Sequence, residues 1–203
     1  MSANKSIVLI TGGNSGIGFN TAQALSKSPN YHVIIGCRSA EKGQKALSDL
    51  QSSSPVSPLS MVQLDVTDTA SITAAAAKIK EEFGRLDVLI NNAGIISRSP
   101  NLLEQLRATF ETNTFGPAVV TEAFRPLLEK SGNARLIYVS SGLGSIAWRA
   151  DPGNMYYKLP AAPYRMSKAA LDMLTVCHYA ELKDKGVKVW AFDPGTYTTN
   201  AND

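Results

Sequence analysis

Twenty basic against 17 acidic side chains in 203 residues leave a net charge of +3, scattered along a chain that has the length of one domain and enough interior to fold without disulfides or metals. The mild, unclustered charge gives no sign of a nucleic-acid partner, no apolar run nears the ~18 residues of a membrane helix, and residues 1–5 carry no signal-like apolar stretch. Cys37 and Cys177, with His32 and His178, stand at spacings that match neither a disulfide framework nor a zinc site, so no metal is expected and the expected location is the cytoplasm.

Short apolar runs alternate with longer amphipathic stretches, the pattern of βαβ units. Strands are predicted at 6–11, 32–36, 61–65, 86–91, 135–140 and 187–192, and helices at 16–27, 40–51, 70–83, 102–128 and 161–185. The expected fold is α/β, a doubly wound parallel sheet of Rossmann type, in a single domain spanning residues 1–203 with a ligand crevice at the strand C-termini. The Ser/Pro-rich patch at 52–58 is too short for a linker and reads as a loop, and the four alanines at 74–77 read as helix packing.

The first strand runs into Thr11-Gly12-Gly13-Asn14-Ser15-Gly16-Ile17-Gly18, with a helix after it. Glycines there permit a tight turn and a close approach of backbone to a pyrophosphate, whose charge the helix N-terminus favours; a merely flexible turn is the alternative. A P-loop fails, because Phe19 and Asn20 stand where Lys and Ser/Thr are required. Twenty positions beyond Gly18, where dinucleotide sites often place a carboxylate for the ribose 2′-hydroxyl, stands Arg38, and no acidic residue precedes Glu41. A guanidinium suits a 2′-phosphate instead, so NADP(H) is expected over NAD(H), the alternative being a solvated loop cation.

Further along, Pro117 stands four residues beyond Asn113 inside the 102–128 stretch. Proline has no N–H, so the Asn113 carbonyl loses its helical donor and the helix is expected to bend there, freeing a carbonyl that can hold a water; an ordinary kink between two helix halves is the alternative. After Pro160 and Pro163, Tyr164-Arg165-Met166-Ser167-Lys168 opens the last helix with phenol and ammonium one turn apart on one face. A tyrosine acting near neutrality needs its pKa lowered by about 3 units, and a fixed lysine cation is a suitable perturbation; an isolated match of this kind is also what a surface pair looks like.

Taken in order, these motifs resemble the short-chain dehydrogenase/reductase family across essentially the whole chain. The resemblance includes Leu64-Asp65-Val66, Asn91-Asn92-Ala93-Gly94, Asn113, Ser140-Ser141 and Asp193-Pro194-Gly195, each after or within successive elements. It implies an oxidoreductase that reduces a ketone or aldehyde, or oxidises the corresponding alcohol. Tyr164 would donate or remove the proton, Lys168 would lower its pKa and hold the nicotinamide ribose, and Ser141 would bind the substrate oxygen. Asn113 would link to Lys168 through a water. Gly12, Ser15, Gly16, Ile17, Gly18, Arg38, Asp65, Asn92, Gly94 and Thr199 would line the cofactor, with Asp65 and Asn92 near the adenine and its ribose. The stretches around Ser141 and Tyr164 are most similar to carbonyl-reductase-like and C-factor-like branches.

Ser141 and Tyr164 lie 23 positions apart, further than in many members, so an additional loop around residues 149–158 is expected over the substrate mouth, its Met and Tyr residues lining an apolar pocket or packing on the surface. His178 lies ten residues beyond Lys168, about 80° round the helix, and reads as a packing histidine; Cys37 and Cys177 read as unreactive thiols. Relatives usually continue through a covering helical segment and a final edge strand that often builds an oligomer interface. The C-terminal helix and last strand are therefore expected to be missing, and homo-oligomer formation stays open. Two rival readings are a dinucleotide-binding protein without turnover, opposed by the full Asn113, Ser141, Tyr164, Lys168 set, and a nonredox isomerase or dehydratase, opposed by the glycine spacing.

Overall fold

Apolar runs rich in Val, Ile and Leu form the centre of the molecule because they are covered on both faces, which is the condition for a parallel sheet. The computed structural model describes residues 5–195. Strands β1 (Ser6–Thr11), β2 (Tyr31–Cys37), β3 (Leu59–Gln63), β4 (Val88–Asn91), β5 (Arg135–Val139) and β6 (Lys188–Phe192) pair in parallel in the order β3-β2-β1-β4-β5-β6. The order reverses between β1 and β4, so the loops leaving their C-terminal ends diverge and open a crevice between them.

Alternation along β1 divides the core. Ile7 and Leu9 face α3 (Thr69–Phe83), α5 (Gly116–Leu128) and α7 (Ala162–Leu182), where Ile72, Phe124 and Leu171 complete the larger cluster. Val8 and Ile10 face α1 (Gly16–Ser26) and α2 (Ala40–Ser52), packing with Ala22 and Leu50. The second layer ends early: Trp190 and Phe192 on β6 are about half exposed, and among the described residues β6 pairs only with β5.

The six strands and the flanking helices match the sequence expectation to within about two residues at most ends, the usual latitude of helix and strand boundaries. The 102–128 stretch differs. It splits into α4 (Leu102–Phe110), a π-helical turn (Glu111–Phe115) and α5. Pro117 cannot donate to Asn113, and the wider turn lets the Gly116 N–H reach back to the Glu111 carbonyl. Gly116 is needed there, since a Cβ would lie 2.7 Å from the Val66 carbonyl oxygen. The loop between Ser141 and Tyr164 is also more ordered than expected, holding a 3₁₀ turn at Gly142–Gly144 and the short helix α6 (Ile146–Ala150).

His178 is buried on α7, where Nδ1 hydrogen-bonds the Tyr138 hydroxyl. That hydroxyl pairs with Thr121 Oγ1 at 2.8 Å, which accepts from Asn91 Nδ2 at 3.0 Å. The chain of contacts joins α7 to the sheet centre through α5. Burial pushes the Tyr138 phenol up and the His178 imidazole down, so both are neutral at pH 7.

Candidate active site

The β1 loop owes its shape to glycine at positions where a side chain would be strained or obstructed. Gly12 and Gly16 have φ of 65° and 54°. Gly18 is required for packing: a Cβ there would sit 2.5 Å from both the Gly12 carbonyl oxygen and Asn92 Nδ2. Ser15, the N-cap of α1, is exposed and makes no side-chain cap bond, and no acidic residue stands in the first turn. The amides that open α1 therefore keep their positive end free for an anion.

Asn92 stands beside the glycine loop. Its Nδ2 donates to the Thr11 carbonyl at 2.8 Å and the Gly12 carbonyl at 3.2 Å, so it ties the β4 loop to the glycine loop. Thr11, not singled out in the sequence, completes the joint: its Oγ1 accepts from the backbone N–H groups of Asn92 and Ala93, both at 3.0 Å. Asp65 Oδ1 accepts from the N–H and hydroxyl of Thr67, which orients the carboxylate at the β3 exit. Arg38 lies exposed just past β2, and its carbonyl accepts from Gln63 Nε2.

On the other side of the crevice, Asn113 is fully buried and clamps three elements. Its Oδ1 accepts from Ile95 N–H at 2.8 Å, while Nδ2 donates to the Ile95 carbonyl and to Ser167 Oγ. Gly94 leaves the space this needs, because a Cβ there would lie 3.3 Å from Asn113 Oδ1 and 3.7 Å from Lys168 Nζ. Lys168 Nζ donates to the Val139 carbonyl at 2.7 Å and lies 5.6 Å from the centre of the Tyr164 ring. Of the two serines after β5, Ser140 is buried, whereas Ser141 is partly open and its Oγ accepts from Leu143 N–H at 3.2 Å.

Electrostatics depart from the expected lysine-driven drop at Tyr164. Burial pushes the Tyr164 phenol above its ordinary value, the Ser141 hydroxyl draws it part of the way back, and Asp193 adds to the rise. Lys168 is itself pulled down to about 8, chiefly by burial, with Asp172 opposing. Desolvation is the largest influence on both groups, and the ammonium donates to the Val139 carbonyl rather than to the phenol. Near pH 7 the pair is thus a neutral phenol beside a largely charged amine.

Against known proteins, a family model for short chain dehydrogenase matches residues 6–203. The chain belongs to the short-chain dehydrogenase/reductase family. It is 43% identical over 205 residues to the short-chain dehydrogenase anuI of Penicillium roqueforti, covering 97% of this chain and 80% of that relative. Among solved structures, salutaridine reductase from Papaver somniferum aligns with a TM-score of 0.84 at 26% identity, over 96% of this chain and 88% of that one. The Pseudomonas aeruginosa RhlG/NADP active-site complex aligns at 0.82 and 27%, over 98% and 77%.

As a short-chain dehydrogenase/reductase the chain is an oxidoreductase of a family that binds nicotinamide dinucleotides. Its residues fit such a group, since the glycine loop is open and α1 offers uncapped amides where a pyrophosphate would lie. Tyr164, Lys168, Ser141, Asn113 and Gly94 converge at the ends of β4 and β5, as the sequence order required. Thr199 lies outside the described residues. Sequence reasoning missed Thr11, Ser167 and Arg165, although a signal for the last existed. Buried positions on α7 include Lys168, Leu171, Thr175, His178 and Leu182 at helical spacing, and Arg165 extends that stripe by one turn.

Proposed function

We propose that this short-chain dehydrogenase/reductase reduces a ketone or aldehyde to an alcohol with NADPH, the reverse oxidation running on the same groups. The observation that carries the reading is the placing of Lys168 Nζ 5.6 Å from the centre of the Tyr164 ring while it donates to the Val139 carbonyl at the end of β5, with Ser141 two residues further on. Bound NADPH supplies the hydride for the carbonyl carbon. Tyr164 Oη gives its proton to the carbonyl oxygen as charge develops there, and Ser141 Oγ holds that oxygen within reach. Lys168 holds positive charge behind the phenol and the nicotinamide ribose. Asn113, whose carbonyl Pro117 cannot serve, holds a water with that carbonyl, the water links to Lys168 in a proton relay, and the Asn113 side chain keeps the β4 loop against α7.

Arg38 supports NADP over NAD: it stands exposed past β2 with no carboxylate before Glu41, and the RhlG neighbour was solved with NADP. Gly12, Ser15, Gly16, Ile17, Gly18, Asp65, Asn92 and Gly94 surround the cofactor, and Asn92 also shapes the glycine loop through Thr11 and Gly12. Residues 1–203 belong to a single dinucleotide-binding catalytic domain that acts on small molecules in the cytoplasm. No helix among the described residues is long and apolar enough to cross a membrane.

The test is NADPH consumption across aliphatic, aromatic and polycyclic ketones, with Tyr164→Phe as the control. Turnover with at least one ketone, falling by about 10³-fold or more in Tyr164→Phe while NADPH binding is unchanged, is expected. NADPH binding with no consumption by any ketone would make the chain a dinucleotide-binding protein.

A further inference from the structure

Arg165 is 7% exposed, yet no carboxylate pairs with it among the described residues, and its Nε has no hydrogen-bond partner. A buried cation without a counter-charge is costly unless neighbouring acceptors take up its donors. Its other donors go to backbone carbonyls. Nη1 donates to the Leu143 carbonyl at 3.3 Å, and Nη2 donates to the carbonyls of Tyr156 and Leu159. One guanidinium thus ties the first turn of α7 to both ends of the long loop between Ser141 and Tyr164.

The Leu143 contact matters most. That residue's C=O accepts from Arg165, while its N–H donates to Ser141 Oγ at 3.2 Å. The turn containing it, Gly142–Gly144, begins immediately after Ser141, and the Gly144 N–H bonds the Ser141 carbonyl at 2.8 Å. Ala161, at the start of α7, takes a left-handed φ of 95°, a strained state for a residue with a Cβ, and its carbonyl accepts from the Arg165 N–H at 3.0 Å. Across the loop, Trp148 stacks on Tyr156, whose carbonyl Arg165 holds, and the Trp148 ring closes against Gly142.

We propose that Arg165 is a positioning residue that aims the Ser141 hydroxyl at Tyr164 by holding the Leu143 residue, and that keeps the Trp148–Tyr156 wall beside the substrate mouth. It rests on the carbonyl-reductase reading for what Ser141 and Tyr164 do, although the coupling itself can be read without turnover. Lysine cannot reproduce the role, because three carbonyls at separate loop positions need the forked donors of a guanidinium.

The test uses the full chain with Arg165→Met, Arg165→Lys, Ser141→Ala and the double variant Arg165→Met/Ser141→Ala. In each, the Tyr164 pKa is read from phenolate absorbance, subtracting the same background carrying Tyr164→Phe. Ser141→Ala removes the hydroxyl that favours the phenolate and raises the pKa by about one unit. Arg165→Met raises it by a similar amount, the double variant adds nothing further, Arg165→Lys recovers less than half of the shift, and amide exchange at Leu143 and Gly144 accelerates in both Arg165 variants. A Tyr164 pKa unchanged in Arg165→Met, or shifts that add in the double variant, overturns the proposal. Tyr164→Phe retaining ketone turnover would instead sink the catalytic reading while leaving this coupling measurable.

Discussion

The two sides of the crevice are held by different physics. Among the described residues up to Leu64, the buried polar side chains are Thr11, Ser26 and Ser57, none of them charged, and the loop that would receive a pyrophosphate is shaped by where a Cβ cannot go. On α7 alone the interior takes in Arg165, Ser167, Lys168, Thr175 and His178. The cofactor side is therefore a steric construction with little dependence on ionisation. The reacting side is a desolvated set of ionisable groups, whose stability and chemistry both move with pH. A hydride-transfer site has use for both: a rigid cradle for a large anion, and groups whose protonation is poised by burial.

The largest effect should come from Lys168. Its folded pKa of about 8 lies below the ordinary 10.5, so between these values the unfolded chain binds more protons and stability rises with pH. Compared with Lys168→Met, the wild-type chain should gain up to about 3 kcal/mol in unfolding free energy across that window, measured by urea titration at several pH values. A difference that stays flat with pH would remove the contrast between the two sides. Next, Gly18→Ala forces a Cβ to 2.5 Å from the Gly12 carbonyl and Asn92, and should cost about 2 kcal/mol at every pH while abolishing NADPH binding, read by calorimetry. If that loss varied with pH, steric shaping of the cradle would be the wrong description. Smallest in stability is Arg38→Asp on its exposed loop, expected within about 0.5 kcal/mol of wild type. It should nonetheless reverse the ratio of NADPH to NADH efficiency, and an unchanged ratio would take Arg38 out of cofactor choice.

The cofactor side was the more legible in sequence. Gly12, Gly16 and Gly18 follow β1 directly, and their constraint is local or nearly so, which is why their spacing could be read without a fold. Pro117 likewise announced an interruption, since a missing N–H four residues beyond Asn113 is a fact about the chain itself; the form it took, a π-helical turn, depended on Gly116 meeting Val66. The bonds from Asn92 to the glycine loop were not legible, because a side-chain amide can serve a ligand or a neighbouring carbonyl and only the fold brings Thr11 and Gly12 to it. The direction of the Tyr164 pKa was misjudged for a similar reason. Spacing puts Lys168 on the same helical face but says nothing about the Val139 carbonyl that occupies it, nor about how deeply the phenol is buried.

By itself the sequence determined the strand–helix alternation, the glycine turn at the helix N-terminus, and the placing of Tyr164 and Lys168 one turn apart, all properties set by backbone sterics and short-range periodicity. Tertiary structure alone decided what surrounds those groups: the Asn113 clamp onto Ile95 and Ser167, the Arg165 hold on Leu143, Tyr156 and Leu159, and the burial that pushes Tyr164 up and Lys168 down. Those depend on segments far apart in the chain meeting in a place from which water is excluded, and desolvation is a property of the place rather than of the residue.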